Sequence, residues 1–388
     1  MAYEIYLKKN EEKRIVAGHS WVYANEVARI EGKDKNGSLA SVFSSDGKFI
    51  GKGYINHASK ILVRIFIRGN ETDDKEFYLR RLTEAWKYRV KLGYGNCCRV
   101  VFAEADNLPA LIVDKYGDYL AVQFLSLGVD MRKKLITECL AEIFSPKGIF
   151  ERSDVALRKK EGLTEVKGVL YGEVPDLVEI EENGLKMLVD VKNGQKTGYF
   201  LDQKENRFAA RRYAAYGDVL DCFCNSGGFT VNCATVARSV TACDVSQPAL
   251  DSVLKNAEIN GFKNISTVCG DAFALLRDFR KQGKTFDLVI LDPPAFCKTA
   301  DEVKDAYRGY KDINIQGMKL VKSGGFLITC SCSHYMTQTL FERMLTEAAK
   351  ESGRTVRSVE VKTQAPDHPS LLCADETHYL KFYVLHII

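Results

Sequence analysis

Apolar positions recur along the chain in three different rhythms. Over residues 1–70, short apolar runs at 5–7, 39–43, 49–55 and 61–67 are separated by glycine-rich and polar clusters at 32–37 and 44–47. That is the pattern of a small β-barrel. From Asp74 to Leu92 the spacing becomes helical, with Phe77, Leu79, Leu82, Ala85, Trp86 and Val90 on one face. Between 99 and 182 the chain alternates. A hairpin is expected at 110–113 and 120–124 around Tyr116-Gly117-Asp118, an amphipathic helix at 131–144, and strands at 149–152 and 166–171. From Tyr199 onward, apolar strands at 219–223, 239–244, 265–269, 288–291 and 325–330 alternate with helical stretches such as 248–260 and 272–282. Strands without an exposed face, separated by helices, predict a parallel doubly wound sheet. Two further strands are expected at 357–361 and 379–387. The expected partition is therefore a barrel at 1–72, a connecting α+β subdomain at 73–183, and an α/β domain at 184–388.

Composition narrows the class. With 388 residues, 46% apolar and 27% charged, the chain has enough apolar side chains for a sizeable core. No run approaches the roughly 18 apolar residues of a membrane span, and residues 1–10 lack the apolar stretch of a signal peptide. A cytoplasmic protein is expected. The twelve cysteines are scattered through a long chain, so thiols are expected rather than disulfides. The pairs Cys222/Cys224 and Cys330/Cys332 are spaced C-x-C, not as zinc knuckles, so no metal is expected. The net charge of +4 sits in one place: residues 1–72 hold twelve Lys and Arg against eight Asp and Glu, and the rest balances. A phosphate-binding N-terminal unit is one reading, and ordinary surface scatter is the other.

The chemistry gathers at the predicted strand ends. Asp221, Phe223, Asn225, Ser226 and Gly227 form a strand end and a glycine-containing turn that lets a ligand approach the backbone. About 20 residues on, the next strand ends in Asp244, followed by Val245 and Ser246. Asp244 is placed to accept hydrogen bonds from ribose hydroxyls, and Ser246 to cap the following helix. The third strand ends at Cys269-Gly270-Asp271-Ala272, where Asp271 either holds an adenine amino group, the favoured reading, or caps a helix. The turn is neither G-x-G-x-x-G nor a Walker loop, which argues against NAD and ATP. These three strand ends resemble the first motifs of the class I S-adenosylmethionine methyltransferases. The segment from Asn193 to Arg207, with Phe200, resembles the part that closes over the cofactor in RNA methyltransferases of that class.

The fourth strand runs into Asp292-Pro293-Pro294-Ala295-Phe296. Two prolines fix the turn, and Asp292 is placed to hold the polar edge of a base. Amino-group methyltransferases carry an aromatic residue after the prolines; Ala295 weighs against that chemistry. The fifth strand ends Cys330-Ser331-Cys332-Ser333-His334. Carbon 5 of a pyrimidine is a poor nucleophile, and a thiolate added at carbon 6 activates it. Such a sulfur must be partly exposed, which favours Cys332 as the nucleophile and leaves Cys330 to the core. Cys297 is expected to be incidental. His334 is read either as a proton shuttle or as a loop histidine.

With these residues in place, the whole chain resembles the bacterial large-subunit ribosomal RNA cytosine-5 methyltransferases, in which a PUA domain precedes a Rossmann-like methyltransferase domain. The resemblance is carried by Gly18-His-Ser-Trp-Val-Tyr23, Gly51-Lys-Gly-Tyr-Ile-Asn56, Ser59 and Arg64 in the N-terminal part. In the C-terminal part it rests on Tyr199-Phe-Leu-Asp-Gln203, Asp292-Pro-Pro-Ala-Phe296, Arg308-Gly-Tyr-Lys-Asp-Ile-Asn314, Ser331-Cys-Ser333 and Ala365-Pro-Asp-His-Pro369. It implies an α/β class I fold with an N-terminal PUA barrel, S-adenosyl-L-methionine as cofactor, and 23S ribosomal RNA as partner. It also implies a homodimer and a Ser-Cys-Ser nucleophile. Phe200, the Asp221–Gly227 turn, Asp244–Ser246, Gly270–Ala272, Asp292 and Pro293 would then face the cofactor. Pro294, Phe296, Lys298, His334, His368 and Trp21 would face the RNA. Related guanine-N7 enzymes share Asp-Pro-Pro but lack the cysteine. Asn225, where an aromatic residue is common, departs from the pattern.

Overall fold

The computed structural model describes residues 2–388. The chain divides into two compact units, one formed by residues up to Ile180 with 189–201 and 366–377, the other by 181–188, 202–365 and 378–388.

In the first unit, a six-stranded sheet runs Trp21–Tyr23, Ile61–Ile67, Phe49–Ile55, Leu39–Phe43, Tyr3–Leu7 and Val27–Glu31 in spatial order. Ile5, Val22, Val42, Ile55 and Val63 fill its interior, as the alternation predicts. The strand Trp21–Tyr23 escapes the sequence pattern because it is only three residues long, and the mostly exposed Val27–Glu31 because it carries no apolar run. Beside it lies a five-stranded sheet ordered Val166–Gly172, Gly148–Ser153, Tyr119–Phe124, Leu111–Tyr116, Cys97–Phe102, with the helices Lys75–Lys91 and Lys133–Phe144. The middle region is no mere connector. Tyr54, Phe66 and Ile67 of the barrel share one apolar cluster with Phe77, Leu82, Val113 and Ile136. Arg64 reaches Glu161 at 2.8 Å, and Ser59 donates to the same carboxylate at 2.6 Å.

Val178–Glu182 and Leu185–Val189 form a two-stranded hairpin. Asn183 and Gly184 at its tip have φ of +57° and +74°, the two positive angles that an Asn-Gly turn supplies.

In the second unit, seven strands lie in the order Ile265–Cys269, Ser239–Asp244, Asp218–Cys222, Phe286–Leu291, Val321–Ser331, Lys381–Ile387, Val356–Lys362. The first five named are mutually parallel, and Lys381–Ile387 runs antiparallel to both neighbours. Side chains alternate between faces. Leu220, Val289, Leu291 and Leu327 enter one apolar cluster, while Val219, Val240, Leu288, Ile290 and Cys330 enter the other. The order reverses at Asp218–Cys222, the chain-wise first strand. In a doubly wound sheet ligands bind at the carboxyl ends beside that reversal.

Nine of the twelve cysteines are buried; Cys332 and Cys373 are half-buried and Cys269 is exposed. Among the described residues no helix is long and apolar enough to cross a membrane, and no group of three or more His, Cys, Asp or Glu is arranged to hold a metal.

Candidate active site at the strand ends

The turn after Asp218–Cys222 is unusual in its backbone. Phe223, Asn225 and Gly227 all have positive φ, +64°, +49° and +87°. Asparagine tolerates that region better than most residues, and glycine best. At Gly227 a side chain is also excluded by space: a Cβ there would lie 3.0 Å from a Val253 methyl. Asp244 fixes the turn from the neighbouring strand, one carboxylate oxygen accepting from the Asn225 amide and the other from the Ser246 amide, each at 2.9 Å. Ser246 caps the helix Gln247–Ile259, as its position suggests. Val245 is exposed beside it.

Asp271 and Phe200 also have partners within the protein. Asp271 caps the helix Ala272–Lys281, accepting from the Ala274 amide at 3.0 Å, so the helix claims one carboxylate oxygen. Phe200 belongs to the first unit, where the Lys196 ammonium lies over its ring at 4.3 Å.

Beneath the turn, Asp221 is fully buried. One oxygen accepts from Thr230 Oγ1 at 2.6 Å, and the other has no hydrogen-bond partner among the described residues. Burial, with Asp292 and Asp244 adding like charge, pushes its carboxyl up to about 7. Three carboxylates thus cluster at one sheet edge. Asp292 is half-buried, and Gln203 Nε2 donates to its Oδ1 at 3.0 Å. Asn206 in turn donates to Gln203 Oε1 at 2.6 Å.

The fifth strand ends in a braced turn. Ser331 donates to the Tyr310 hydroxyl at 3.0 Å, and that hydroxyl shares a 3.0 Å hydrogen bond with Ser333 Oγ. Ser333 Oγ also accepts from the Cys297 amide at 3.3 Å. Both serines are buried, while Cys332 between them is half-buried. Cys330 is sealed in the core, with Gln203 and Asp292 against its thiol; burial pushes that thiol well up. Lys381 Nζ donates to the Ser333 carbonyl and the Tyr379 carbonyl, both at 2.7 Å.

Tyr310 and Gln203 lie within the motifs already singled out, although sequence alone assigned them no role; Lys381 was missed. Around the turn, Phe296 is half-buried, its ring 4.6 Å from that of Tyr310. Pro294, Lys298 and His334 are exposed. Cys297 is buried with its thiol donating to the Thr299 carbonyl at 3.0 Å.

Trp21 lies in the first unit with its indole N–H donating to Glu104 at 2.7 Å and the Arg64 guanidinium over its ring. Its polar edge and one face are committed to contacts within its unit. His368 is 2% exposed, bonded to Asp367 at 2.7 Å and packed on Phe102. Asp367 is itself anchored by the Arg99 amide and by Arg89. His368 is thus packed and paired within its own unit.

The sequence matches two family models: a PUA-like domain over residues 5–68 and an S-adenosylmethionine-dependent methyltransferase over 155–383. Ribosomal RNA large subunit methyltransferase I of Aeromonas salmonicida is 41% identical over 397 residues, covering 99% of each chain. The chain belongs to this methyltransferase family. The Cronobacter sakazakii protein of the same name is 39% identical over 100% of both chains. Among solved structures, a SAM-dependent methyltransferase described as putative, from Streptococcus mutans, has a TM-score of 0.84 at 20% identity over 100% of both chains, which speaks for the fold.

For an S-adenosylmethionine-dependent methyltransferase, the strand ends have a fitting donor set. A buried carboxylate oxygen without a partner, at Asp221, and two further carboxylates suit a ligand carrying an ammonium and a sulfonium. Gly227 leaves the backbone bare beside them.

Proposed function

We propose that this methyltransferase modifies carbon 5 of a cytosine in large-subunit (23S) ribosomal RNA, with Cys332 as nucleophile. The observation that carries the reading is the Ser331–Ser333 turn. It presents one half-buried sulfur between two pinned serines, on the sheet edge where Asp221, Asp244 and Asp292 gather. The names of the relatives at 39–41% identity support ribosomal RNA as the substrate.

In this reading Asp221 and the Phe223–Gly227 turn receive the charged end of the cofactor. Asp244, Val245 and Ser246 receive its ribose. Gly270, Asp271 and Ala272 receive the adenine, with Asp271 using the oxygen that the helix does not take, and Pro293 completes the floor. When bound, S-adenosylmethionine supplies an electrophilic methyl group. The Cys332 sulfur adds to carbon 6 of the base, forming a C–S bond and making carbon 5 electron-rich. After carbon 5 has gained the methyl, a base takes up its proton, the 5,6 double bond re-forms and the C6–S bond breaks to release the Cys332 thiolate. Asp292, held by Gln203, faces the polar edge of the base, with Pro294, Phe296, Lys298 and His334 around it. The basic PUA-like unit contributes phosphate contacts. The reading includes a cytoplasmic homodimer, which sedimentation tests.

The deciding experiment compares wild type with Cys332→Ala, measuring methyl transfer to ribosomal RNA and cofactor binding on the same preparations. Transfer is expected to vanish while binding persists; an active variant ends the covalent scheme. Mass spectrometry of the product nucleoside separates 5-methylcytidine from 5-methyluridine or 7-methylguanosine.

A further inference from the structure

Lys381 opens the strand Lys381–Ile387 and stands opposite Ser331 in the antiparallel ladder. It is 6% exposed. Among the described residues no carboxylate lies within ion-pair distance of its ammonium; its hydrogen bonds go to two carbonyls, Ser333 and Tyr379. A buried cation without an anion is unfavourable. The ionisable groups that act on it are the thiols of Cys332 and Cys297, and burial brings the ammonium down to about 8. Tyr310 faces the same turn from the helix Val303–Leu320, and His334 follows the turn on the exposed side.

The two thiols are not equivalent. Cys297 is buried and donates to Thr299, and its thiol is pushed up. Cys332 is the more accessible of the pair. A lysine ammonium near a thiol favours its thiolate, the form that attacks.

We propose that Lys381 is the positioning residue of the nucleophile: its ammonium fixes the Ser331–Ser333 turn through the Ser333 carbonyl and supplies the positive charge that holds the Cys332 sulfur as a thiolate. The inference rests on Cys332 being the nucleophile, yet its test does not depend on RNA. Above the range in which Lys381 loses its proton, the charge that favours the thiolate disappears.

The test is alkylation of the full-length chain by iodoacetamide between pH 6 and 9.5, with the Cys332 and Cys269 peptides followed separately by mass spectrometry. Three variants are compared: Lys381→Met, Lys381→Gln, which keeps a donor for the Ser333 carbonyl but no charge, and Lys381→Arg, which keeps the charge. Met and Gln are expected to slow Cys332 alkylation at pH 7 by roughly tenfold, the effect of a one-unit rise in thiol pKa, while Cys269 reacts as in wild type. Arg is expected to retain most of the rate. A wild-type Cys332 rate in a folded Gln variant overturns the proposal, and so does an Arg variant as slow as Gln. Should Met fail to fold, the Gln and Arg pair decides. Methyl transfer by Cys332→Ala would remove the cytosine reading without touching the alkylation result; unchanged alkylation in Gln would remove the Lys381 inference and leave that reading in place.

Discussion

The two halves of the sheet edge carry opposite electrostatic defects. At the first strand, a carboxylate is buried without a cation: Asp221, pushed up to about 7 by burial. At the fifth and last strands, a cation is buried without a carboxylate: Lys381, brought down to about 8 by burial. Neither arrangement serves stability by itself, because burying an uncompensated charge is costly. In the function proposed above, each would be relieved by what arrives or forms there, a positively charged methyl donor at one and a thiolate at the other. The contrast teaches that the two sides of this edge differ in charge, a buried carboxyl on one and a buried ammonium on the other, which on the proposed function suits a cation at one and an anion at the other.

Four experiments sharpen or break that division. The largest effect separates the two cysteines of the fifth strand. Cys332→Ala should remove methyl transfer entirely, whereas Cys330→Ala should keep it and lose about 1–2 kcal/mol of stability, a modest core truncation. Parallel assays and denaturant titrations would show it, and equal activity loss in both would erase the distinction. Next, Asp244→Ala should weaken cofactor binding by roughly 1–3 kcal/mol, the scale of a hydrogen-bonding group left unmade. Calorimetry measures this, and because Asp244 also holds the Asn225 and Ser246 amides, part of the loss comes from a loosened turn. Unchanged affinity would remove the ribose assignment.

The third test is a pH dependence. The Asp221 carboxyl is raised above its ordinary 3.8. In the ligand-free protein it therefore contributes stability at low pH that is lost as pH rises towards and through about 7. A cation binds the ionised form, so cofactor affinity should tighten by about tenfold from pH 6 to pH 8. Asp221→Asn should flatten that slope; a flat wild-type profile would show that the carboxylate is not the cation's seat. The smallest effect is at Tyr310→Phe, which removes the hydroxyl shared by Ser331 and Ser333 and should lower stability by about 1 kcal/mol. A larger drop in kcat than in stability would show that bracing the turn matters to the chemistry.

Asp221, Asp244, Asp292 and Cys332 were legible in the sequence because each ends an apolar strand, and strand ends of a doubly wound sheet point to one edge. The barrel core was legible from alternation for the same local reason. Lys381 was not, since its partner Ser331 is set by the antiparallel insertion of Lys381–Ile387 between two other strands, which no local pattern announces. Asp271 shows the opposite difficulty: helix cap and ligand contact call for the same residue at the same place. Trp21 and His368 look like recognition residues in sequence; their contacts with Glu104 and Phe102, far away along the chain, are announced by no local pattern. The hairpin at Asn183-Gly184 carried a readable turn signal, and its flanking strands are simply short.

The burial of nine of the twelve cysteines has a practical consequence. Only three of the protein's thiols are not buried, and one of them is Cys332. If that sulfur is a thiolate, peroxide should convert it to a sulfenic acid ahead of its sealed neighbours. Activity would then fall while the fold stays intact.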